Sequence, residues 1–457
     1  MPRRTRLESG LQNALSILAD QFAFPTDRMR TMMAAFHEDM DRGLAGLPSS
    51  LRMLPTFADN PSGREKGDVL ALDLGGSNVR LLLARLTGDG REPQVLSEKF
   101  KLEPEHVSTT GEALFGAIAR FIKEFLAGRR LDGSYPLGFT FSFPLRQHSI
   151  RRGELILWTK GWTASGVEGR DVVSLLDRAL EGQGVGGVRV VSLDNDTTGT
   201  QVARAYFDPA CDTGCILGTG TNICYRERAA RIQAPIAGYA REFMIVNMES
   251  GNFNRALPRN RYDARLDARS ENPAGQWEEK MVSGKYLGEL VRLAVADWTG
   301  RGLLFEGRLP GPLAGRDGLA GETISALIAD PSEDADGARA VLAGLGADGA
   351  GRDDAAAVRA IGRTVVLRAA RIAAAALAAA VTKNDPGLQA AHTVAVDGSI
   401  FEKMPGFRES MRAAFGELFG ARAERITLAL THDGSGLGAA IIAASTGAHS
   451  EAYYGEQ

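Results

Sequence analysis

Hydrophobic positions in the first part of the chain follow helical spacing. Between residues 10 and 50, apolar side chains recur three or four positions apart, as at Leu11 and Leu15. This period places them on one face of a helix, so the segment is predicted to be helical. Pro55 and Pro61 then interrupt the pattern, and the chain that follows is richer in short apolar runs.

Short apolar runs bounded by turn residues predict β-strands in two parts of the chain. These runs cover residues 69–74, 79–86, 137–143, 188–193, 215–217, 393–396 and 426–430. Helical patterns are predicted between and after them, at residues 110–126, 198–205 and 437–444. A strand, a glycine-containing turn and a further strand occur twice, near residues 75 and 219. This repetition predicts an α/β protein with two similar lobes that face a cleft.

The segment from residue 280 to residue 382 is predicted to be helical and is rich in alanine. Within it, residues 330–355 are dominated by Asp, Gly and Ala, which predicts a loop or a surface insertion. The longest apolar run, residues 372–381, has ten residues, whereas a membrane span needs about 20. We therefore expect a packed helix of a water-soluble protein and no membrane partner.

The overall composition is that of an ordinary globular protein. The 457 residues include 44% hydrophobic and 24% charged residues. A net charge of -3 gives no electrostatic basis for a nucleic acid partner. Cys211, Cys215 and Cys224 are too few and too clustered for a disulfide framework, and no nearby histidine completes a zinc site. Because no apolar segment follows the basic N-terminus as in a secretion signal, the protein is expected to be cytoplasmic.

Glycine is the one unusual count, at 54 of 457 residues against an average of about 7%. Many of these glycines lie in short loops with Ser or Thr. Such loops let backbone N–H groups approach an anionic ligand, which makes them candidate phosphate sites.

The first glycine loop follows the strand at 69–74. Its candidate phosphate-binding residues are Asp73, Gly75, Gly76, Ser77, Asn78 and Arg80. The Asp73 carboxylate can hold water molecules of a Mg²⁺ ion, and Ser77 and Asn78 can donate hydrogen bonds. An ordinary β-hairpin turn has the same composition, so both interpretations stay open at this point.

Two later loops have a similar character. The loop 218–222 contains Thr219 and Gly220 after a buried strand, and its alternative is again a tight turn. The loop 433–439 resembles a dinucleotide-binding fingerprint, but too few residues follow it for the second strand that this fingerprint requires. A loop that enters a helix beside a nucleotide remains possible there.

The strongest candidate for catalysis is Asp196, in the run Asn195, Asp196, Thr197 at the end of a buried strand. Ligand sites of α/β sheets form at such strand ends. A carboxylate there can accept a hydroxyl proton, as phosphoryl transfer requires. The alternative is a helix N-cap, and this is the role predicted for Asp194.

Three further polar residues carry open alternatives. Lys160 lies between Trp158 and Trp162, which fits either a charged site residue or a surface turn. Glu249 and Glu279 lie near glycines or helix starts, where a solvated or capping acid is the common role.

In this order, these segments resemble the eukaryotic-type hexokinase family. The resemblance runs from about residue 54 to residue 444 and rests on eight segments: 54–56, 142–144, 158–161, 195–197, 218–222, 281–289, 397–399 and 433–436. Glu278 departs from the family pattern, which usually has an aromatic residue there.

The resemblance implies a two-lobed actin-like ATPase (ribonuclease H-like) fold with a cleft that closes on a sugar. It implies an N-terminal helical segment 1–63 packed on the large lobe, a small lobe 64–195, a large lobe 196–445 and a tail 446–457 that returns to the small lobe. The sugar pocket implied comprises Ser142, Phe143, Thr159, Lys160, Asn195, Asp196, Asn222, Glu249 and Glu279. Asp196 would be the base, and Lys160 would offset developing charge.

On the nucleotide side, the resemblance assigns the β- and γ-phosphates and the Mg²⁺ hydration shell to Asp73 and the loop to Arg80. Thr219 and Gly220 would hold phosphate from the other lobe. The residues implied around the adenosine are Gly398, Ser399, Gly434, Ser435 and Gly436.

The activity implied is transfer of the ATP γ-phosphoryl group to the 6-hydroxyl of a hexose, with Mg²⁺, as the first step of glycolysis. Glucose is the first candidate, followed by mannose and fructose. A monomer or a homodimer is expected. A catalytically silent sugar sensor of the same fold, or a chaperone-type ATPase that binds no sugar, are the alternatives.

Overall fold

The computed structural model describes residues 2–75, 78–159, 161–316 and 318–453. Its β-strands lie in two main sheets and a small hairpin. The strands are β1 (Leu54–Pro55), β2 (Lys66–Leu74), β3 (Asn78–Thr87), β4 (Gln94–Lys101), β5 (Tyr135–Phe141), β6 (Leu145–Ser149), β7 (Arg152–Leu155), β8 (Val188–Asp194), β9 (Cys211–Leu217), β10 (Thr221–Arg228), β11 (Phe243–Asn247), β12 (His392–Asp397) and β13 (Ile426–Leu430).

Helices cover much of the remaining described chain. They are α1 (Pro2–Phe22), α2 (Thr26–Leu44), α3 (Pro104–Val107), α4 (Gly111–Gly128), α5 (Val172–Gly182), α6 (Asp196–Ala205), α7 (Arg261–Asp267), α8 (Trp277–Val282), α9 (Gly284–Gly300), α10 (Gly311–Ala314), α11 (Gly321–Ala329), α12 (Asp336–Gly344), α13 (Arg352–Thr382), α14 (Ser399–Lys403), α15 (Phe407–Phe419) and α16 (Gly434–Tyr453). Short 3₁₀ turns occur at Ala229–Arg231, Ser250–Asn252, Phe305–Gly307 and Gly420–Arg425.

The two main sheets have matching topologies. The small sheet has the order β4-β3-β2-β5-β8, and the large sheet has the order β1-β11-β10-β9-β12-β13. In each, an antiparallel hairpin (β2–β3 or β9–β10) continues into parallel strands (β5 and β8, or β12 and β13). The two predicted strand–turn–strand units are therefore confirmed as the cores of two α/β lobes.

The large sheet lies in a core formed with the N-terminal and central helices. On α2, Met29, Met32, Phe36 and Met40 repeat at helical spacing and are fully buried. The Phe36 ring lies 4.7 Å from the Phe253 ring, measured between centroids. The hydrophobic pattern predicted for residues 10–50 thus packs the first helices on this core.

The segment 330–355 was predicted to be a loop or an insertion, and this prediction is wrong. It contains α12 and the beginning of α13, with Ala335, Ala338 and Leu342 buried against the core. The Asp330 carboxylate accepts a hydrogen bond from the Ala338 backbone N–H at 2.9 Å. Alanine has the highest helix propensity of all residues. The alanines of this segment therefore favour a helix more than its glycines oppose one.

Among the described residues, α13 alone is long and apolar enough, by length and composition, to cross a membrane. Of its apolar window, 83% is buried inside the protein. A buried core helix meets the same criterion, so this is weak evidence for a membrane span.

Helices α6 and α16 lie between the two sheets and join them. A Cβ atom on Gly138 of β5 would overlap the backbone of Ala439 in α16, so the helix lies directly on the small sheet. A Cβ atom on Gly214 of β9 would lie 2.7 Å from the Thr197 carbonyl oxygen, so α6 lies equally close to the large sheet. The tail 446–457 was predicted to return to the small lobe, but contact of α16 with the small sheet already occurs at Ala439. The predicted domain boundaries at residues 63, 195 and 445 stay predictions.

Candidate active site

The loop between β8 and α6 presents the predicted base. Asn195 has an extended backbone and caps α6, because its side-chain oxygen accepts the Thr198 N–H at 2.8 Å. Asp196 follows as the first helical residue, and its Oδ1 accepts the Thr197 N–H at 2.7 Å and the Thr197 hydroxyl at 3.1 Å. Asp196 is half-buried, and within the described residues its Oδ2 accepts no hydrogen bond. The carboxylate is therefore held in one orientation by a single oxygen.

Asp194 is not the helix cap that the sequence indicated. It ends β8 and pairs with Thr140 of β5, so its side chain belongs to the face of the sheet. The cap is one residue later, at Asn195, because the strand continues to residue 194.

A chain of amide and carboxylate groups leads away from Asp196. The Thr197 hydroxyl accepts a hydrogen bond from Asn222 Nδ2 at 2.9 Å, and the same Nδ2 donates to Asn247 Oδ1 at 2.8 Å. Asn247 Nδ2 then donates to Glu249 Oε1 at 3.0 Å. Strands β10 and β11 thus bring the predicted sugar residues Asn222 and Glu249 to the end of α6.

Asn247 is a residue of this chain that the sequence interpretation did not select. The available signal was a polar side chain at the end of a buried strand, next to Glu249. Asn222 also accepts the Ser250 N–H at 3.1 Å, so every polar atom of its amide is bonded within the protein. The arrangement presents oriented carboxylates on a fixed amide network.

Backbone strain accompanies Glu249. Its φ of 52° lies in the left-handed region, which is uncommon for residues other than glycine. Strain of this kind costs about 1–3 kcal/mol and is concentrated at functional sites.

Glu279 approaches the same region from α8. Its Oε2 accepts the Thr221 N–H at 3.3 Å, and a Cβ on Gly251 would lie 3.1 Å from its own Cβ. The next residue, Lys280, is buried and donates to Asp267 Oδ1 at 2.6 Å, which fixes the rotation of α8. Glu279 is thereby directed to the turn that carries Asn222.

The candidate phosphate side lies at the ends of β2 and β5. Asp73 Oδ2 accepts the Ser435 hydroxyl of α16 at 2.7 Å. Arg80 pairs with Asp73 across β2 and β3, and its Nη1 lies 2.6 Å from Asp433 Oδ1. A Cβ on Gly75 would lie 3.0 Å from the Ser142 hydroxyl, so Ser142 adjoins the first glycine loop.

The second group of predicted nucleotide residues meets around the β9–β10 turn. A Cβ on Gly218 would lie 3.5 Å from Gly398 Cα, and Gly398 has a φ of 122° that only glycine readily adopts. Ser399 follows directly as the first residue of α14. The Thr219 carbonyl accepts the Lys285 N–H at 3.2 Å. Thr219, Gly220, Gly398 and Ser399 are therefore neighbours.

Asp397 connects this group with the loop before α16. Burial raises the pKa of the Asp397 carboxyl, while the backbone N–H groups of Gly398 and Gly434 act in the opposite direction. The predicted adenosine residues Gly434, Ser435 and Gly436 thus begin next to Asp397 and continue into the helix that reaches Asp73.

An aromatic cluster supports the segment before Lys160. Trp158 and Trp162 stack with ring centroids 5.2 Å apart, and Phe143 lies 4.8 Å from Trp158. Phe143 is buried in this cluster, and the Thr159 carbonyl accepts the Trp162 N–H at 3.1 Å. Of the predicted sugar residues, Phe143 belongs to this aromatic cluster, and Ser142 and Thr159 are next to its members in sequence.

Three predicted site residues, Lys160, Gly76 and Ser77, lie outside the described residues. Asn78 is described only by its backbone, which pairs with Lys101 of β4. Their predicted roles stay predictions.

The residues present fit Mg²⁺ and a nucleotide triphosphate. Asp73 and Ser435 supply hard oxygen atoms, which Mg²⁺ prefers, and Arg80 supplies a cation for phosphate. Within the described ranges, no three metal-binding side chains form a cluster.

Comparison with known proteins gives one family. Two family models, both described as hexokinase, match residues 14–206 and residues 212–445. Hexokinase-2 of Candida albicans is 36% identical over 460 residues, which cover 97% of this chain and 94% of that protein. Human Hexokinase-3 is 40% identical over 432 residues, which cover 93% of this chain and 46% of that protein. The chain therefore spans about half the length of the mammalian relatives it matches.

Solved structures agree with these relatives. A hexokinase from Schistosoma mansoni complexed with glucose has a TM-score of 0.87 and 34% identity, and the match covers 96% of this chain and 99% of that one. A second hexokinase crystal structure has a TM-score of 0.85 and 32% identity over 96% of this chain. The predicted fold class is confirmed. Because hexokinase models match both halves and a near full-length relative agrees, the chain belongs to the hexokinase family.

Proposed function

We propose that the protein transfers the γ-phosphoryl group of ATP to the 6-hydroxyl of a hexose, the first step of glycolysis. Glucose is the first candidate substrate, with mannose and fructose as further ones. The observation that carries this proposal is the position of Asp196 at the end of the network Thr197, Asn222, Asn247 and Glu249. Glucose in the Schistosoma mansoni relative supports the choice of substrate.

Asp196 would act as the general base. Its Oδ1 is held by Thr197, so Oδ2 would accept the proton of the 6-hydroxyl. The hydroxyl oxygen then forms its bond to the γ-phosphorus while the bond from that phosphorus to the bridging oxygen of ADP breaks. The bond electrons remain on ADP, and the proton remains on Asp196 until it is released to solvent.

The amide and carboxylate network would select the sugar. Asn222 is held by four hydrogen bonds, so its position does not adapt to the ligand. A ligand without matching hydroxyls would displace water from Glu249 and Glu279 without replacing the hydrogen bonds of that water, which lowers affinity strongly. These groups bind and orient the hexose but do not carry the proton.

The phosphate side would be formed by Asp73, Arg80, Ser435 and the Thr219–Gly220 turn. Arg80 presents a guanidinium that suits phosphate oxygens geometrically. Mg²⁺, when bound, would neutralise charge on the phosphate oxygens, and Asp73 would hold its water molecules. Lys160 is proposed to offset charge that develops during transfer.

We also propose a cytoplasmic protein that acts as a monomer or a homodimer. Its three cysteines are free and buried, which suits a reducing compartment. The net charge of -3 supports small-molecule partners over nucleic acid.

Substitution Asp196→Asn tests the proposed function. It removes the base but keeps the size of the side chain, so kcat in a coupled assay with glucose and MgATP should fall by about 100-fold or more. Glucose binding, measured by calorimetry, should persist. Asp208→Asn, on an acid just beyond the other end of α6, is the matched control and should keep wild-type kcat.

Near wild-type turnover of Asp196→Asn would overturn the assignment of the base. A wild-type protein that binds glucose but phosphorylates no hexose would instead support the sugar sensor. ATP hydrolysis that no hexose affects would support the chaperone-type ATPase.

A further inference from the structure

Asp194 is a buried acid beside the proposed base, and the mechanism above does not use it. Its side chain is 1% exposed, and neither carboxyl oxygen has a hydrogen bond of good geometry within the described residues. Burial raises the pKa of Asp194 well above its ordinary value; the Thr140 hydroxyl opposes this, and the carboxylates of Asp73 and Asp196 add to it. Burial and the two neighbouring carboxylates therefore favour the uncharged form of this acid.

Sheet register places Asp194 in a row of polar side chains. It is the partner of Thr140 on β5, and Thr140 is the partner of Asp73 on β2. Paired residues of neighbouring strands point to the same face of a sheet. The row therefore lies under the N-terminal end of α16, with Asp194 at one end and Asp73 at the other.

Hydrogen bonds connect this row to α16. The Thr140 hydroxyl donates to the Ser435 carbonyl oxygen at 3.3 Å, and the Ser435 hydroxyl donates to Asp73 Oδ2 at 2.7 Å. The oxygen of Thr140 keeps an acceptor position for a neighbouring donor. A protonated Asp194 can provide that donor, whereas a carboxylate would instead attract the Thr140 hydroxyl and so compete with the Ser435 carbonyl for its proton.

Among the residues that the structure describes, the charged groups that face Asp194 have one sign. Helix α6 contributes Asp196 and β2 contributes Asp73, while β5 and residues 434–444 of α16 carry no charged side chain. Arg80, on β3, is paired with Asp433 at 2.6 Å.

The β6–β7 hairpin contributes no compensating charge either. Its Gln147 donates to the Leu193 carbonyl at 2.8 Å. Arg151 donates to the Val190 carbonyl, further back along β8, and to Asp177 of α5. Within the described chain, no cation lies at salt-bridge distance from Asp194.

We propose that Asp194 is a positioning residue for phosphoryl transfer, which must be protonated for the site to work. This inference rests on the proposed function. As a neutral acid, Asp194 supports Thr140 and Ser435 and so keeps the start of α16 on Asp73. As a carboxylate, it adds a third negative charge beside Asp73 and Asp196, where an anionic triphosphate has to bind. Loss of this proton switches the site off on the alkaline side.

The test is the pH dependence of kcat and kcat/KM for the wild type, Asp194→Asn and Asp194→Leu, with glucose and MgATP. Both variants keep the branched shape of the side chain and cannot ionise. Wild-type kcat should fall by about tenfold or more on the alkaline side, whereas Asp194→Asn should keep its neutral-pH kcat within about threefold and lose that fall. The acid limb of the profile should be unchanged.

Ser192→Ala is the matched control. Ser192 lies two residues earlier on the same face of β8, is also fully buried, and its hydroxyl has no hydrogen-bond partner within the described residues. It cannot carry a charge at these pH values, so the variant should keep the alkaline fall. If Asp194→Asn does not fold, Asp194→Leu decides only by whether the alkaline fall disappears, because leucine also removes the proposed hydrogen bond to Thr140 and lowers kcat at every pH.

The wild type provides an independent measurement. The infrared difference spectrum between the wild type and Asp194→Asn isolates Asp194 from other buried acids such as Glu278. It should contain the carbonyl band of a protonated carboxylic acid, which disappears over the same pH interval as kcat. A band that disappears well before the alkaline fall overturns the proposal.

Two kinetic results overturn it as well. One is an alkaline fall that survives in Asp194→Asn, and the other is an equal loss of kcat at every pH, which indicates a structural role. An inactive wild type at every pH overturns the proposed function together with the inference. An active wild type whose alkaline fall survives in Asp194→Asn overturns the inference alone.

Discussion

At the scale of single residues, two buried carboxyl groups adjoin predicted site residues. Asp194 precedes the pair Asn195 and Asp196, and Glu278 precedes Glu279. Glu278 is 1% exposed on α8, and its Oε2 has no hydrogen-bond partner within the described residues. Burial raises the pKa of Glu278 well above its ordinary value, and the Glu279 carboxylate adds to this. Asp196 and Glu279 thus face the site, whereas the nearby acids Asp194 and Glu278 are buried.

Substitution Glu278→Gln should stabilise the protein increasingly as pH rises. In the unfolded chain the glutamate loses its proton near pH 4.5. The folded protein keeps that proton, so wild-type stability decreases as pH rises from there toward the folded pKa. Each pH unit in this interval corresponds to about 1.4 kcal/mol. Thermal unfolding at about pH 5 and about pH 8 measures the difference between variant and wild type.

The exposed Glu402, changed to Gln, is the control and should show no such trend. A Tm difference for Glu278→Gln that is the same at both pH values would contradict this prediction.

Sequence alone located the candidate base but not the role of its neighbour. Asp194, Asn195 and Asp196 are all good caps by residue type, and the strand end decides which of them caps α6. A shift of one residue moves a side chain to the opposite face of the sheet. Asn247 was missed for a related reason, since its role depends on its neighbours across β10 and β11.

At the scale of elements, His392 connects the start of β12 with two acids. Its Nδ1 lies 2.6 Å from Asp212 Oδ2, and its Nε2 lies 3.1 Å from Asp385 Oδ2. The hydrogen bond to Asp212 raises the pKa of His392, against the effect of burial and with the help of Asp385. The protonated ring therefore joins β9, β12 and the loop before β12.

Substitution His392→Gln should destabilise the protein more at low pH than at high pH. The histidine has its folded pKa raised above the unfolded value of 6.5. Its stabilisation is therefore complete below that value and is lost as pH rises through the folded pKa. The Tm loss should be several degrees at about pH 6 and should shrink toward about pH 9, in a scan of thermal unfolding.

His148→Gln is the control, because His148 is more exposed and meets only Glu154, at 3.4 Å. A Tm loss for His392→Gln that grows with pH would contradict the prediction.

Strong local patterns predicted most elements. Strand β13 (Ile426–Leu430) agrees with its predicted range, and β5, β8 and β12 agree within about two residues, a usual boundary difference. Strand β2 begins three residues earlier than predicted. The helix α12 was missed because its glycines suggested a loop. Its burial against α11 and α13 is a tertiary effect that local composition does not report.

At the scale of the whole molecule, the site depends on contacts between residues far apart in sequence. Ser435 and Asp73 are 362 residues apart and share a hydrogen bond. The resemblance to hexokinases assigned both to the nucleotide side, but no local pattern predicts that they touch. The contact exists because α16 lies on the small sheet, which places the start of the helix at the ends of β2 and β5.

Substitution Gly138→Ala should therefore reduce activity without touching any predicted site residue. The added methyl group would overlap the backbone of Ala439 and push α16 away from the small sheet. A displacement of about 1 Å at Ser435 and Asp73 corresponds to roughly a 100-fold loss of kcat/KM. Steady-state kinetics with glucose and MgATP measure this loss, and circular dichroism establishes that the variant is folded.

Gly116→Ala is the matched control, because a Cβ there meets nothing within 4 Å on α4. Alanine should raise stability slightly and leave activity unchanged. Wild-type kcat/KM in Gly138→Ala would contradict the prediction.

Helices α6 and α16 meet backbone to backbone between the two lobes. A Cβ on Gly438 would overlap Gly199, and one on Gly199 would lie 2.6 Å from the Ser435 carbonyl oxygen. Glycine has only a hydrogen atom in place of a side chain, which is why the two helix backbones can come this close. Any larger residue at either position would push the two helices, and with them the two sheets, apart.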